Sequence, residues 1–237
     1  MTISRLFTSL FLTLLVFIMF FHPIYAITQD LGRHLLLGEI IAKTQTVLKT
    51  NFLSYTYPDY PFINSHWFSE VIFYLIEKMA GFFGLLLFTT IVATASFLVQ
   101  LLCVKKQKAI PIILASILYF RILLERTDLR PEIFSFFFLS IFIAILYKYR
   151  NGFTRWIFIL PVVELLWVNT HIYFPVGILV LGLFLIDRLI TQRKEIKHKY
   201  NVILLAIFIA SFKFLAMIVL LFFKDDSAIL LVFNLGN

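Results

Sequence analysis

The first polar stretch of the chain carries side chains that could transfer protons and bind charged ligands. It reads Gln29-Asp30-Leu31-Gly32-Arg33-His34-Leu35. In a helix, Asp30 and His34 lie one turn apart on the same face, and Arg33 is less well aligned with them. Such a set could bind a metal or a phosphate, or could perform general acid–base catalysis. Spacing alone also fits a helix N-terminus, with Asp30 near the helix dipole and Arg33 in solvent.

Two further histidines could join this set, because the topology predicted from the basic clusters places them on the same side of the membrane as His34. They are His66 and His171. With Asp30 and Glu70 nearby, the three imidazoles could form a metal site, in which Asp30 is the best candidate ligand. The sequence contains no His-x-x-x-His or His-Glu-x-x-His pair, so spacing does not specify a metal.

A second charged set, Arg126, Arg130 and Glu132, lies at the tip between two apolar runs and includes the tripeptide Arg130-Pro131-Glu132. Arginine side chains bind phosphate oxygens in a bidentate manner, so these residues predict binding of a lipid phosphate or lipid diphosphate. The alternative is a structural role, in which these arginines and Arg121 pair with acids of the same segment, namely Glu125, Asp128 and Glu132.

Composition shows which class of protein must position these residues. Hydrophobic residues make up 61% of the 237 residues, charged residues only 14%, and the mean hydropathy is +0.96. This polar surface is too small to cover a water-soluble body, so a soluble enzyme is excluded. The 29 Phe residues exclude a disordered chain. Cys103 is the only cysteine, so a disulfide framework and a thiolate metal cluster are excluded.

The apolar runs predict membrane helices in a single transmembrane domain over residues 1–237. Residues 6–29 are uncharged, and Ile24-Tyr25-Ala26 puts a bulky residue where a cleavage motif needs a small one, so we expect an uncleaved first helix. Further apolar runs are Met79–Val104, Ala109–Phe120, Ile133–Tyr147, Trp156–Ile186 and Val202–Phe223. None alternates with period two, so we predict an all-α polytopic integral membrane bundle of about seven or eight helical segments.

Basic residues cluster in three places, which the positive-inside rule assigns to the cytoplasm. The clusters are Lys105, Lys106 and Lys108; Lys148, Arg150 and Arg155; and Arg188, Arg193, Lys194, Lys197 and Lys199. The N-terminus is then cytoplasmic, and residues 27–66 form a long first external loop. Trp67–Met79 would be only about 20 Å long as a helix, so we expect a re-entrant or juxtamembrane segment. In the alternative topology this segment crosses, and 109–124 is the incomplete span.

The two later external tips are expected to lie below the membrane surface. Between the basic clusters at 148–155 and 188–199 the chain must cross and return, so each arm is only about 20 Å long. The tip around Asn169 and His171 therefore stays at a depth where polar backbone is tolerated only if protein buries it or water reaches it. The hairpin 109–147 also has short arms, with Arg126–Glu132 at its tip. Together these tips predict an outward-facing vestibule.

A carboxyl in an apolar arm and the absence of nucleotide-binding motifs limit the reactions that the sequence supports. Glu164 lies within an apolar arm, where an ionisable group is a candidate functional residue; the alternative is a neutral, hydrogen-bonded carboxyl. Lys213 could pair with it. The sequence contains no phosphate-binding P-loop, dinucleotide-binding glycine motif, nucleophile elbow or Cys-x-x-Cys, so ATP-driven and nicotinamide chemistry have no support.

This layout resembles the GT-C superfamily, which comprises polytopic glycosyltransferases that use polyprenyl-phosphate sugars. It also looks like a group of uncharacterised bacterial membrane proteins. The similar residues, over roughly 1–190, are Asp30-Leu31-Gly32-Arg33-His34-Leu35, Gly38-Glu39, Ser54-Tyr55-Thr56, His66-Trp67, Glu70, Arg130-Pro131-Glu132 and Trp167-Val168-Asn169-Thr170-His171. The chain departs from the GT-C pattern in two ways. Gln29-Asp30 has a single acid where the family usually has an acidic pair, and the chain is short, which suggests a fragment of a longer one.

The resemblance implies a glycosyltransferase that acts on the outer face of a bacterial cytoplasmic membrane. Asp30 would be the catalytic base or would hold a divalent metal, Mg²⁺ or Mn²⁺, while His34 and His66 would position groups or shuttle protons. The expected substrate-binding residues are Arg33, Arg126, Arg130, Glu132, Asn169 and His171. The expected partners are membrane lipid and a lipid-linked sugar donor, with no nucleic acid. The alternatives are a transporter or flippase for a lipid-linked anionic substrate and a non-catalytic membrane subunit.

Overall fold

The structure, a computed structural model, describes residues 3–22, 29–103, 109–150, 153–191, 202–209 and 211. The regular elements of these described residues are all helices, with no β-strand among them, as predicted. The helices are α1 (Ile3–Phe20), α2 (Gln29–Thr44), α3 (Trp67–Cys103), α4 (Ala109–Leu123), α5 (Glu132–Arg150), a 3-10 helix (Arg155–Ile159), α6 (Leu160–Thr170) and α7 (Pro175–Thr191). Residues 202–209 are also helical. The predicted first external loop is therefore partly helical, because α2 lies within it.

Local sequence explains where the helices of the site begin and end. Asp30 stands in the first turn of α2 and Lys43 in its last turn, where each charge favours the helix dipole. A proline opens α6, where its missing N–H costs nothing. The same helix ends at His171, whose backbone is extended, with φ −160° and ψ 144°. This extended residue starts the turn that leads into α7.

Helix α3 consists of two helical pieces joined at Gly81. The backbone of Gly81 has φ 64° and ψ −170°, a conformation that L residues with a side chain rarely adopt. The sequence predicted a boundary at Met79, between a short helix and a long apolar span, and the kink confirms this boundary within two residues. The piece before Gly81 begins at Trp67 and carries Glu70, and the piece after Gly81 continues as an apolar helix.

Helix α3 is the centre of the packing, and it contacts α1, α2, α5 and α6. Its Phe73 is fully buried, and the ring lies 6.1 Å from that of Phe134 of α5. Trp167 of α6 is also buried against α5, through Phe138 and Phe142. These aromatic contacts hold α5 and α6 against α3. They thereby fix where the start of α5 and the end of α6 lie relative to the start of α3.

Two helices are long and apolar enough to cross a membrane, namely Trp67–Cys103 and Glu132–Arg150. Shorter apolar helices are Leu6–Phe20 and Ile110–Leu123. Many large apolar side chains are exposed on the outer faces of the helices, among them Phe7 (68%), Leu118 (70%) and Ile190 (67%). These values are unusual for a surface that faces water.

The basic ends of α5 and α7 lie together. Arg150 Nη2 is 3.9 Å from Asp187 Oδ2, and Arg188 Nη1 donates to the Arg150 carbonyl at 3.3 Å. Arg150 and Arg188, one residue from each of two predicted basic clusters, thus lie close together. The side chains of the other predicted cluster, Lys105, Lys106 and Lys108, lie outside the described residues, as do those of Arg193, Lys194, Lys197, Lys199 and Lys213.

Candidate functional site

The centre of the site is a buried carboxylate–imidazole pair that joins α2 to the start of α3. His34 Nδ1 is 3.0 Å from Glu70 Oε1, and only 4% of His34 and 1% of Glu70 are exposed. A carboxylate oxygen accepts hydrogen bonds, so Nδ1 carries the proton and the second ring nitrogen, Nε2, keeps its lone pair. His34 is thereby oriented as a proton acceptor. This is the arrangement by which a carboxylate prepares an imidazole for general-base catalysis.

A second donor holds Glu70 from the other side. Asn64 Nδ2 donates to Glu70 Oε2 at 2.5 Å, and Asn64 Oδ1 accepts the backbone N–H of His66 at 3.1 Å. Asn64 itself is 1% exposed. Both carboxylate oxygens are therefore occupied, which fixes the Glu70 side chain and compensates the cost of burying its charge. Asn64, through the turn it forms with His66, also places the next imidazole.

Three imidazoles follow one another across the site, and we call His34, His66 and His171 the histidine row. The ring centroids of His34 and His66 are 5.5 Å apart, and those of His66 and His171 are 5.1 Å apart. Tyr173 packs edge-on against His171 at 4.6 Å. The row draws one residue from α2, one from the segment before α3 and one from the turn after α6, so three separate parts of the chain meet here.

The second and third histidines of the row are held neutral. Burial lowers the pKa of His66 to about 4, with contributions from the neighbouring charges of His34 and Arg33. Burial likewise lowers the pKa of His171 to about 3, with contributions from His66 and His34. At neutral pH both rings therefore act as hydrogen-bonding groups and not as cations.

The charged residues of the second tip form ion pairs, one of which reaches Asp30 on α2. Arg130 Nη2 lies 3.7 Å from Asp30 Oδ2 and 3.4 Å from Asp128 Oδ2. Arg126 Nη1 lies 3.4 Å from Glu132 Oε2. These arginines thus make the ion pairs of the structural alternative. Both side chains remain partly exposed, at 36% for Arg130 and 46% for Arg126.

The third tip is attached to α3 by two long-range hydrogen bonds. Trp67 Nε1 donates to Asn169 Oδ1 at 2.8 Å, and Ser69 Oγ donates to the Thr170 carbonyl at 2.8 Å. Asn169 therefore anchors Trp67 in this structure. Since His171 directly follows this anchored segment, the two bonds set its position relative to His66.

The structure brings most of the residues named from the sequence to one place. Asp30, Arg33 and His34 lie on α2, and His66, Arg130, Asn169 and His171 reach the same region through the contacts above. Sequence reasoning did not assign Asn64 or Ser135 to the site. It named Glu70 as a neighbour of a possible metal site and among the residues of the GT-C resemblance, without giving it a catalytic role. A carboxylate four residues after His66 in a short apolar helix was the available signal for Glu70.

No three His, Cys, Asp or Glu side chains of the described residues are grouped so that they could hold a metal ion. A metal at Asp30 therefore stays a prediction. A cavity between α3 and α4 shares no residue with the site; it is lined by Phe97, Gln100, Leu101, Pro111, Ile112, Ala115, Ser116 and Tyr119. Comparison of the chain with protein-family models, curated proteins and solved structures gave no match.

Proposed function

We propose that this chain is a membrane glycosyltransferase that moves a sugar from a polyprenyl-phosphate donor to an acceptor hydroxyl. The observation that carries the proposal is the buried His34–Glu70 pair, which lies one turn of α2 from Asp30, the ion-pair partner of the partly exposed Arg130. A proton acceptor beside a phosphate-binding group is what such a transfer requires.

The proposed setting is a GT-C-like polytopic bundle in a bacterial cytoplasmic membrane, with a cytoplasmic N-terminus and the site at the outer face. The two helices of spanning length and the exposed apolar faces support a membrane location. The basic ends of α5 and α7, joined through Arg150 and Asp187, support a cytoplasmic position for that end. The histidine row, at the opposite ends of α5 and α7, would then face outward.

In the proposed reaction, the acceptor hydroxyl attacks the anomeric carbon of the sugar. Its proton passes to Nε2 of His34, while Glu70 stabilises the imidazolium that forms. A carbon–oxygen bond to the acceptor forms as the bond to the phosphate oxygen breaks. The lipid phosphate leaves with the electron pair, and the guanidinium groups of Arg130 and Arg33 stabilise its charge. Asp30 is assigned to hold Arg130 in place, with a metal-binding or base role as the alternative.

The test is donor turnover by the purified protein in lipid nanodiscs, with a panel of polyprenyl-phosphate sugars. Wild type is compared with His34→Gln, which removes the proton acceptor, and with Asp30→Asn. Glu39→Gln is the matched control, because Glu39 lies on the same helix in an exposed pair with Lys43. We expect turnover to be lost in His34→Gln and retained in the control. Loss in Asp30→Asn alone would move the base to Asp30. Donor binding without turnover in wild type and in all the variants would reject an enzyme.

A transporter of a lipid-linked anionic substrate is the second candidate, and one observation favours it. Glu164 is 2% exposed, and neither of its carboxyl oxygens has a hydrogen-bond partner among the described residues. A buried carboxyl without a partner suits a group that gains and loses a proton during transport. In that case Glu164→Gln would abolish substrate movement across a vesicle membrane, and His34→Gln would affect it less.

A further inference from the structure

Beside the base, the site contains a second hydrogen-bonded unit that the proposed reaction has not used. Ser135 of α5 lies between two aromatic partners: Trp167 Nε1 donates to its Oγ at 2.7 Å, and His171 Nδ1 is 2.8 Å from the same oxygen. All three residues are buried, with 4% of Ser135, 1% of Trp167 and 7% of His171 exposed. These bonds connect α5, α6 and the end of the histidine row.

The chemistry of the three groups decides where the proton of His171 lies. An indole N–H only donates, so Ser135 Oγ is an acceptor toward Trp167. Among the described residues, the hydroxyl proton of Ser135 has one acceptor within reach, Nδ1 of His171. Leaving a buried donor unpaired costs the whole desolvation free energy of that group. The hydroxyl therefore donates to Nδ1, and the neutral ring of His171 carries its proton on Nε2.

The two ends of the histidine row thus have opposite hydrogen-bonding character. Glu70 holds the proton of His34 on Nδ1, so Nε2 of that ring is an acceptor. Ser135 holds the proton of His171 on Nε2, so the same ring atom is a donor. Neither Nε2 makes a hydrogen bond within the part of the chain that the structure describes. His66 stands between them, with centroid distances of 5.5 and 5.1 Å.

We propose that Ser135 is a positioning residue that makes His171 a hydrogen-bond donor to the phosphate oxygens of the lipid-linked substrate. The choice of ligand rests on the proposed function, whereas the proton position rests on the hydrogen bonds alone. A phosphate group accepts hydrogen bonds and cannot donate to an unprotonated Nε2 when it is a dianion. The opposite proton position would turn the ring's lone pair toward the anion and repel it. The two ends of the row would then serve the two halves of the reaction, the hydroxyl at His34 and the phosphate at His171.

The direct test is ¹⁵N NMR of the full chain, labelled at histidine, in nanodiscs. Protonated and unprotonated ring nitrogens have well-separated shifts, and single His→Gln variants assign each of the five histidines. We expect the proton on Nδ1 in His34 and on Nε2 in His171. Ser135→Ala should shift His171 toward the other tautomer, and Ser135→Thr, which keeps the hydroxyl, should restore it. Ser116→Ala is the matched control, because Ser116 bonds only its own helix.

Binding of a polyprenyl phosphate without a sugar, measured in the same variants, tests the role toward the ligand. Loss of one hydrogen bond should weaken binding about fivefold to tenfold in Ser135→Ala, with wild-type binding in Ser135→Thr and Ser116→Ala. A proton on Nδ1 of His171 in wild type would overturn the inference. Equal binding by wild type and Ser135→Ala would overturn the donor role. Absence of binding in wild type, with the expected tautomers, would instead reject the lipid phosphate as ligand and with it the proposed function.

Discussion

Replacing Glu70 by glutamine tests the central pair of the site with almost no change in shape. Glu70 accepts from His34 Nδ1 at 3.0 Å and from Asn64 Nδ2 at 2.5 Å. The side-chain amide introduced by Glu70→Gln keeps one acceptor oxygen and presents an NH₂ group to one of these two donors. His34 can relieve the conflict by moving its proton to Nε2 and accepting from the amide.

The expected magnitudes differ for stability and for turnover. Exchange of a charge-assisted hydrogen bond for a neutral one should cost about 1–2 kcal/mol of stability. Turnover should fall by about 10⁴-fold, because His34 would then present an N–H to the acceptor hydroxyl in place of a lone pair. Glu70→Ala leaves two buried donors without an acceptor, so its stability loss should be larger, about 3–5 kcal/mol.

The measurements are thermal unfolding in detergent, donor turnover in nanodiscs and the ¹⁵N shifts of His34. Glu125→Gln is the control: Glu125 pairs with Arg121 on an exposed surface, with both side chains 69% exposed, and its loss should cost no more than about 0.5 kcal/mol. If Glu70→Gln were as stable as Glu125→Gln, and the proton of His34 had not moved, the reasoning about this pair would be refuted.

Three further predictions concern the elements around the pair. Gly38→Ala should lower turnover and should lower stability by about 1–3 kcal/mol, because a Cβ at Gly38 would collide with the backbone of Glu70 and push α2 away from α3. Gly32→Ala is the control on the same helix; a Cβ there has no atom within 4 Å, so the change should be neutral or slightly stabilising. Equal melting temperatures for the two variants would contradict the close approach of α2 and α3. Acidification should destabilise the fold: unfolded histidine binds a proton below about pH 6.5, whereas folded His66 binds one only near pH 4, so stability should fall as the pH drops through this interval, by about 3 kcal/mol for His66 alone at about 1.4 kcal/mol per pKa unit. In His66→Gln the melting temperature should depend less on pH over that range, and an unchanged pH dependence would show that another group is responsible. Gly81→Ala should cost about 1–2 kcal/mol, since its φ of 64° is strained for alanine, and a melting temperature equal to wild type would show that the kink can straighten without penalty.

Local properties of the sequence were enough to predict the helical class and several boundaries. The all-helical character follows from apolar runs without period-two alternation, and α3 begins at Trp67, directly after His66, as expected. The break near Met79 was predicted from the change from a charged short helix to an uncharged run, and the structure places it at Gly81. These features depend on residues close together in the chain, where composition and propensity act directly.

Tertiary packing alone decided which side chains of the site pair with one another. Glu70 and His34 are 36 positions apart, as are Ser135 and His171, and Trp67 and Asn169 are 102 apart. Nothing in the local pattern distinguishes Asp30, which is 52% exposed beside Arg130, from Glu70, which is buried against His34. The distinction arises because Gly38 lets α2 lie against the start of α3. His34 is therefore buried against Glu70, whereas Asp30, one turn earlier at the start of α2, stays exposed. The sequence therefore identified the residue types available for chemistry, and the close packing of α2, α3, α5 and α6 determined which of them are paired, neutral or free to act.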